Sequence, residues 1–259
     1  MDTNLSANLH IMTNACQRIA RFMLRDFGEI EQLQSSINGS SGFANASKVK
    51  IEKTLIDNLL EARPKYGVLA PSSEIKGSDI SHRFIVNVID GFENYAHGFP
   101  FFSISVALQE QKKLVAGVIF NPVLDKMFYA ENGGGAFLSE TRMTRRIRVS
   151  PKKDYNKSLI IYSGRDVEDL KLKTALPLQT LNTDGLNLGY LAAGMIDAYI
   201  GKNKNVFDLS AGILIAKEAG AIVRAYDKDG KITDKLFEAD LVICGNNYLQ
   251  SELTSIIIK

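Results

Sequence analysis

The sequence lacks the features that mark several common classes of protein. No apolar run approaches about 18 residues, the length that indicates a membrane-spanning helix. The N-terminus has no basic segment followed by an apolar run, which is the pattern of a secretory signal peptide. We therefore expect a cytoplasmic protein that does not enter a membrane.

Cysteine and histidine are scarce. The two cysteines, Cys16 and Cys244, lie far apart among apolar neighbours. This spacing excludes a CxxC motif, and it favours buried, reduced thiols. The three histidines, His10, His82 and His97, are too scattered to predict a zinc site.

Charge of one sign does not dominate the sequence. There are 31 lysines and arginines against 29 aspartates and glutamates, a net charge of +2, so bulk charge does not favour nucleic-acid binding. One local group of basic residues comprises Arg142, Arg145, Arg146, Arg148, Lys152 and Lys153. Such a group is either a solvated strand edge or loop, or a contact surface for nucleic acid or protein.

The periodicity of apolar residues predicts the fold class. Spacings of three and four residues predict amphipathic helices over 9–27 and 51–60. Short apolar runs from about residue 66 predict a strand meander, with a hairpin formed by 102–108 and 114–120. Strands and helices then alternate, which predicts a layered α/β sandwich in a single domain, 1–259. Its antiparallel-sheet part covers about 1–150 and its alternating β/α part about 151–259.

Two aspartates stand where the predicted elements begin or end. Asp90 closes a strand and is followed by Gly91, and Asp208 opens a helix. Carboxylate oxygens at such positions are suitable ligands for Mg²⁺, which prefers hard oxygen donors. Each aspartate also has a structural interpretation, Asp90-Gly91 as a turn and Asp208 as a helix N-cap.

Four ordered segments of the chain resemble the inositol monophosphatase family. The first, 84–108, contains Asn87, Asp90-Gly91 and His97-Gly98, and the others are 133–150, 190–199 and 207–220. The resemblance covers nearly the whole chain. It implies an α/β/α/β/α layered fold, a homodimer, and Mg²⁺-dependent hydrolysis of small phosphate monoesters such as inositol phosphates.

Several positions depart from the family pattern. The first signature aspartate is Asn87 here, and the threonine after Asp-Gly is Phe92. The family's Glu-Glu pair aligns with Pro71-Ser72, and the aspartate before its second helix aligns with Lys48. Its Gly-Ser pair aligns with Asn182-Thr183, and its inositol-binding glutamate aligns with Gly201. The catalytic residue types are therefore lost at Pro71, Ser72 and Phe92. By resemblance, Gly91, Phe92 and Thr183 lie at substrate- or phosphate-binding positions.

These departures predict a weakened magnesium site made of Asp90, Asp208 and the amide of Asn87. Glu74 and Glu93 are candidate substitute ligands, and the alternative is that both are surface glutamates. We also expect Lys48 to place its ammonium between Asp90 and Asp208 and to stand in for the charge of a metal ion.

Three functions follow from the resemblance and its departures. The first is a phosphatase whose Mg²⁺ binding and activity are weak or absent. The second is a non-catalytic protein that binds the transcription machinery, since bacterial relatives of the SuhB type are associated with RNA polymerase. The third is an active phosphatase on inositol phosphate, or on another small phosphate ester, with a rebuilt metal site.

Overall fold

The computed structural model describes residues 5–35, 39–141 and 143–258. Two helices, α1 (Ala7–Leu33) and α2 (Ser41–Ala62), form its first layer. The Ser6 side chain caps α1 by accepting a hydrogen bond from the Leu9 amide. Both predicted helices are confirmed, and each is longer than predicted. Buried residues continue beyond the predicted ranges, at Ile30 of α1 and at Ala44 of α2.

An eight-stranded sheet, sheet A, follows these helices. Its strands are β1 (Gly67–Ala70), β2 (Ser73–Ile75), β3 (His82–Asp90), β4 (Ser103–Glu110), β5 (Lys113–Asn121), β6 (Lys126–Glu131), β7 (Gly135–Glu140) and β8 (Met143–Ile147). They lie in the order β2-β1-β3-β4-β5-β6-β7-β8, and neighbours are antiparallel except for the parallel pair β1 and β3. The short helix α3 (Phe92–Ala96) connects β3 to β4.

The predicted hairpin is the pair β4 and β5. Its two turn residues, Gln111 and Lys112, have φ angles of 48° and 66°. Two consecutive residues with positive φ form the type I′ turn, whose twist matches that of the flanking strands. The hairpin therefore forms although neither turn residue is glycine or asparagine.

A second sheet, sheet B, is built from the C-terminal part of the chain. Its strands are β9 (Ile160–Ser163), β10 (Leu178–Gln179), β11 (Ala198–Lys202), β12 (Ile222–Tyr226) and β13 (Leu241–Gly245), in the order β10-β9-β11-β13-β12. The associated helices are α4 (Val167–Thr174), α5 (Asp184–Ala192), α6 (Val206–Glu218) and α7 (Asn247–Ile257). Strand β9 is parallel to β10 and β11, whereas β13 is antiparallel to β11 and β12.

The two sheets enclose a middle layer of two helices, α5 and α6. Helices α1 and α2 cover the outer face of sheet A, and α7 covers the outer face of sheet B. Glycines let α6 pack closely, since a Cβ atom on Gly117 of β5 would lie 3.0 Å from the Ala211 carbonyl oxygen. The α/β/α/β/α arrangement is confirmed, and it places the N-termini of α5 and α6 beside the end of β3.

The basic group lies along and beyond β8, which is an edge strand of sheet A. Arg146 and Arg148 are exposed, while Arg142 lies outside the described residues. Lys152 forms an ion pair with Asp197 at 2.8 Å. No helix within the described ranges combines the length and the apolar character that crossing a membrane requires.

Candidate metal centre

The site begins at the end of β3. Asp90 is the last residue of the strand, and the register of β3 against β4 shifts between Asn87 and Asp90. Gly91 follows with a φ angle of 83°, a conformation that favours glycine. A Cβ atom at this position would also lie 3.1 Å from the Phe101 carbonyl oxygen. Gly91 therefore acts through the backbone, turning the chain sharply so that the Asp90 carboxylate stands at the edge of the sheet.

The beginning of α5 holds that carboxylate in place. The Thr183 hydroxyl and the Gly185 amide each donate a hydrogen bond of 2.6 Å to Asp90 Oδ2. Thr183 was predicted to lie at a phosphate-binding position, and its hydroxyl proton is directed to Asp90. Asp184, between these two donors, instead accepts a hydrogen bond of 2.6 Å from the Tyr199 hydroxyl at Oδ1.

Three carboxylates meet at this point. Asp90, Asp184 and Asp208 each offer one ligand oxygen, and these oxygens lie within 4.8 Å of one another. Asp90 is 6% exposed and Asp184 is 5% exposed, while Asp208 is half-buried. We refer to these three residues as the acidic cluster. Asp184 is absent from the predicted site, although its place at the start of a helix, directly after the aligned pair Asn182-Thr183, is a signal that could have identified it.

Asp208 lies in the first turn of α6 rather than at its N-cap. The helix begins at Val206, and the N-cap is Asn205, whose Oδ1 accepts from the Phe207 and Asp208 amides at 2.9 and 3.1 Å. The Asp208 carboxylate accepts from the Asn205 amide in return, which completes a capping box. The structural interpretation of Asp208 as an N-cap is therefore wrong, because Asn205 fills that position.

A lysine does pair with the acidic cluster, and it is Lys204 rather than Lys48. Lys204 Nζ lies 3.0 Å from Asp184 Oδ2, and the lysine side chain is 19% exposed. Lys48 Nζ lies over the Phe92 ring, 5.4 Å from its centroid. Across the described ranges, Lys48 forms no ion pair with Asp90 or Asp208, so its predicted placement between them is wrong. The aromatic ring that replaces the family's threonine attracts the ammonium instead.

Burial and mutual repulsion perturb the carboxylates. Desolvation by burial, followed by the charge of Asp184, raises the pKa of Asp90 to about 7. The same two causes raise the pKa of Asp208 to about 6, against the opposing charge of Lys204. Burial also raises the pKa of Tyr199 well above its usual value, so this phenol stays protonated as a donor to Asp184. One ammonium therefore does not neutralise the cluster.

Two further hydroxyls face the cluster without a partner. Ser103 Oγ and Ser105 Oγ are buried and, within the part of the chain that the structure covers, make no hydrogen bond. A Cβ atom on Gly185 would lie 3.1 and 2.8 Å from them and 3.0 Å from Asp90 Oδ2. Buried hydroxyls without partners are uncommon in native proteins. The donor set, three carboxylates with orphaned hydroxyls nearby, fits a hard cation such as Mg²⁺.

The remaining predicted ligands are Asn87, Glu74 and Glu93. Asn87 is 7% exposed on β3, three residues before Asp90. Glu74 is exposed on the edge strand β2, and Glu93 is exposed in α3. Within the described ranges, neither glutamate belongs to the group of carboxylates that could hold an ion.

The positions of the lost Glu-Glu pair do not contribute a ligand either. Pro71 and Ser72 are exposed in the turn between β1 and β2. The Ser72 hydroxyl donates to the buried Glu52 of α2. This turn is therefore tied to α2 rather than to the acidic cluster.

A cavity of about 880 Å³ opens beside the acidic cluster. Asp184 and Lys204 form part of its wall, and its other charged lining residues are Glu93, Arg165, Asp166 and Lys202. Strand β11 contributes Lys202, whose Nζ pairs with Asp166 at 2.7 Å. Gly201, aligned with the family's inositol-binding glutamate, is buried and presents no carboxylate to this space.

The layered fold and the acidic cluster between its two sheets define a structural class of protein. Comparison with known proteins identifies the family within that class. The chain matches the inositol monophosphatase family over residues 6–259, and it belongs to that family. It is 34% identical over 264 residues to an inositol-1-monophosphatase of Rhizobium meliloti (strain 1021), covering 97% of this chain and 96% of the relative.

Other relatives carry a different name. A Nus factor SuhB of Xylella fastidiosa (strain Temecula1 / ATCC 700964) is 29% identical over 266 residues, covering 97% of this chain and 94% of the relative. The crystal structure of extragenic suppressor protein suhB from Bartonella henselae superposes with a TM-score of 0.85 at 35% identity. It covers 98% of this chain and all of that one (100%).

Proposed function

We propose that this protein is a Mg²⁺-dependent hydrolase of small phosphate monoesters, with a rebuilt metal site. The observation that supports this proposal is the acidic cluster, in which Asp184 supplies a third carboxylate. The expectation of a weak or inactive phosphatase counted two carboxylates, Asp90 and Asp208. With three carboxylates in reach of one ion, the charge that was lost at other family positions is partly restored.

Asp90, Asp184 and Asp208 would hold the ion. A bound Mg²⁺ would supply activation of a water molecule and neutralisation of charge on the phosphate oxygens. Thr183 and the Gly185 amide fix the orientation of Asp90, and Tyr199 fixes that of Asp184. These hydrogen bonds hold the Asp90 and Asp184 carboxylates in position before an ion binds, which lowers the cost of orienting them.

The helices contribute to phosphate binding through their N-termini. Both α5 and α6 begin at the acidic cluster. The Gly185 amide already donates to Asp90, and the Phe207 and Asp208 amides donate to Asn205, so the favourable contribution for an anion here is the positive end of each helix dipole. The adjoining cavity has room for the non-phosphate part of a small substrate. The glycine at position 201 indicates that this part is held differently from inositol in the family.

Phosphate release from a panel of small monoesters, inositol monophosphate included, tests the proposal. We expect release that depends on Mg²⁺ and that Asp208→Asn abolishes. Asp154→Asn, at an exposed position that caps a short 3₁₀ turn, is the matched control with the same chemical change. Absence of Mg²⁺-dependent release from every monoester would contradict the proposal.

A second candidate function is regulatory. The relatives named Nus factor SuhB favour it, as does the exposed basic edge of sheet A at Arg146 and Arg148. Such an edge can pair with an acidic segment of the transcription machinery. Capture of RNA polymerase by the wild-type protein, lost in Arg146→Glu/Arg148→Glu and kept in Lys113→Glu, is the expected result. Equal capture by all three proteins would contradict it.

A further inference from the structure

We propose that Lys204 is a tethered cation of the acidic cluster that competes with Mg²⁺ for Asp184 and so weakens metal binding. This inference rests on the proposed function, because it assumes that the cluster holds Mg²⁺. It assigns Lys204 a role in setting how much metal the protein needs. Lys204 is thus a positioning and tuning residue rather than a catalytic one.

The contacts of Asp184 are the first step. Its Oδ1 accepts from the Tyr199 hydroxyl at 2.6 Å, and its Oδ2 lies 3.0 Å from Lys204 Nζ. Both oxygens of this carboxylate are therefore engaged by hydrogen-bond donors of the protein. An ion that coordinates Asp184 must displace the ammonium or share Oδ2 with it.

The charges of the cluster are the second step. When all three carboxylates are ionised they carry a charge of −3, and the ammonium of Lys204 reduces this to −2. Lys204 and Asp184 are both largely buried, with side chains 19% and 7% exposed, so solvent screens their interactions less than on the surface. An ammonium at this distance repels a divalent ion that would bind the same oxygens.

The orphaned hydroxyls are an independent sign that the cluster takes a further ligand. Ser103 Oγ and Ser105 Oγ are buried beside Asp90, on the β4 strand, and no partner for them exists within the described residues. Lys204 therefore occupies one part of the cluster, at Asp184, and leaves the polar groups at Asp90 for a bound species. We therefore expect the Lys204 ammonium to compete with Mg²⁺ for Asp184 but not to prevent Mg²⁺ from binding to the cluster.

Lys202 offers a matched control two residues away. It lies in the wall of the same cavity, and its Nζ pairs at 2.7 Å with Asp166, which is not a member of the acidic cluster. Removing either ammonium changes the net charge of the protein equally. A difference in metal affinity between the two variants therefore reports on position rather than on bulk charge.

Isothermal titration with MgCl₂ at fixed pH and ionic strength tests the inference. We expect Lys204→Met to bind Mg²⁺ at least tenfold more tightly than the wild type and Lys202→Met to bind within about twofold of it. Lys204→Arg, which keeps the charge, should bind like the wild type. Thermal melting gives a second readout. Without Mg²⁺, the melting midpoint of Lys204→Met should be lower than that of the wild type, and with saturating Mg²⁺ it should reach the wild-type value.

The outcomes separate this inference from the proposed function. Equal Mg²⁺ affinity in the wild type, Lys204→Met and Lys202→Met would overturn the inference and leave the proposed function standing. Failure of all three proteins to bind Mg²⁺ would overturn both. If Lys204→Met does not fold, Lys204→Gln keeps a donor for Asp184 without the charge, and it should also bind Mg²⁺ more tightly than the wild type.

Discussion

Replacing Asp184 with asparagine is the sharpest perturbation of the proposed metal site. The substitution removes one negative charge and keeps the size of the side chain and an oxygen for the Tyr199 hydroxyl. At an effective dielectric constant of about 20, two unit charges about 4 Å apart interact by about 4 kcal/mol. Because water replaces part of the lost ligand, we expect a smaller net effect, a loss of about 100-fold in Mg²⁺ affinity, or about 2.7 kcal/mol.

The stability of the metal-free protein should change by less than the free energy of Mg²⁺ binding does. The variant loses the ion pair between Asp184 and Lys204, and breaking a buried pair costs about 3–5 kcal/mol when its partner stays uncompensated. The same change relieves the repulsion that Asp184 exerts on Asp90 and Asp208. These effects oppose each other, so we expect the free energy of unfolding to change by about 1–2 kcal/mol.

Two measurements check this prediction. Titration calorimetry gives the Mg²⁺ affinity, and denaturant unfolding without metal gives the stability. Asp166→Asn is the control, because Asp166 pairs with Lys202 in the same cavity and lies outside the acidic cluster. Wild-type Mg²⁺ affinity in Asp184→Asn would refute the role of Asp184 as a ligand.

Three further predictions concern the surroundings of the cluster. The raised pKa of Asp90 means that the folded, metal-free protein binds a proton that the unfolded chain releases, so stability is lost as pH rises through about 7. This effect acts between the ordinary aspartate pKa of 3.8 and about 7, so the melting temperature without metal should fall as the pH rises from about 5 to about 7, and it should fall less in Asp90→Asn. Gly185→Ala should destabilise the protein by about 1–3 kcal/mol and weaken Mg²⁺ binding, because its Cβ would crowd Ser105 Oγ and Asp90 Oδ2, at 2.8 and 3.0 Å. Gly28→Ala, in an open part of α1, should stabilise it by about 1 kcal/mol in the same unfolding assay. Asn205→Ala should lower the free energy of unfolding by about 1 kcal/mol and should also lower Mg²⁺ affinity, because Asn205 holds Asp208 in the capping box. Asn205→Ser should keep the wild-type stability and Mg²⁺ affinity. Destabilisation by Asn205→Ala without a loss of Mg²⁺ affinity would contradict the role of the capping box in positioning Asp208.

Local patterns in the sequence predict most of the fold. The apolar stripes of α1 and α2 are visible without tertiary information, since each helix buries one face. The β4–β5 hairpin is visible as two apolar runs, since both of its strands are buried on the two faces of sheet A. The elements that the sequence does not reveal are short: β2 has three residues and β10 has two. Elements of this size are stabilised by pairing with a neighbouring strand, and periodicity over so few residues carries little signal.

The candidate site is predictable only in part, for a similar reason. Asp90 and Asp208 stand out because they lie in recognisable motifs. Asp184 is 94 positions after Asp90, so its approach depends on the packing of α5 against β4, which brings Gly185 beside Ser103 and Ser105. The expected role of Lys48 was wrong because an aromatic ring close to it, Phe92, attracts its ammonium.

The most direct test of the proposed function is phosphate release from inositol monophosphate across a Mg²⁺ titration, comparing the wild type with Asp184→Asn. We predict Mg²⁺-dependent release by the wild type and, in Asp184→Asn, a titration curve displaced by about 100-fold to higher Mg²⁺ concentration. Superimposable curves for the two proteins would contradict the role of Asp184 in a rebuilt metal site. No release by either protein at any Mg²⁺ concentration would contradict the hydrolysis of inositol monophosphate itself.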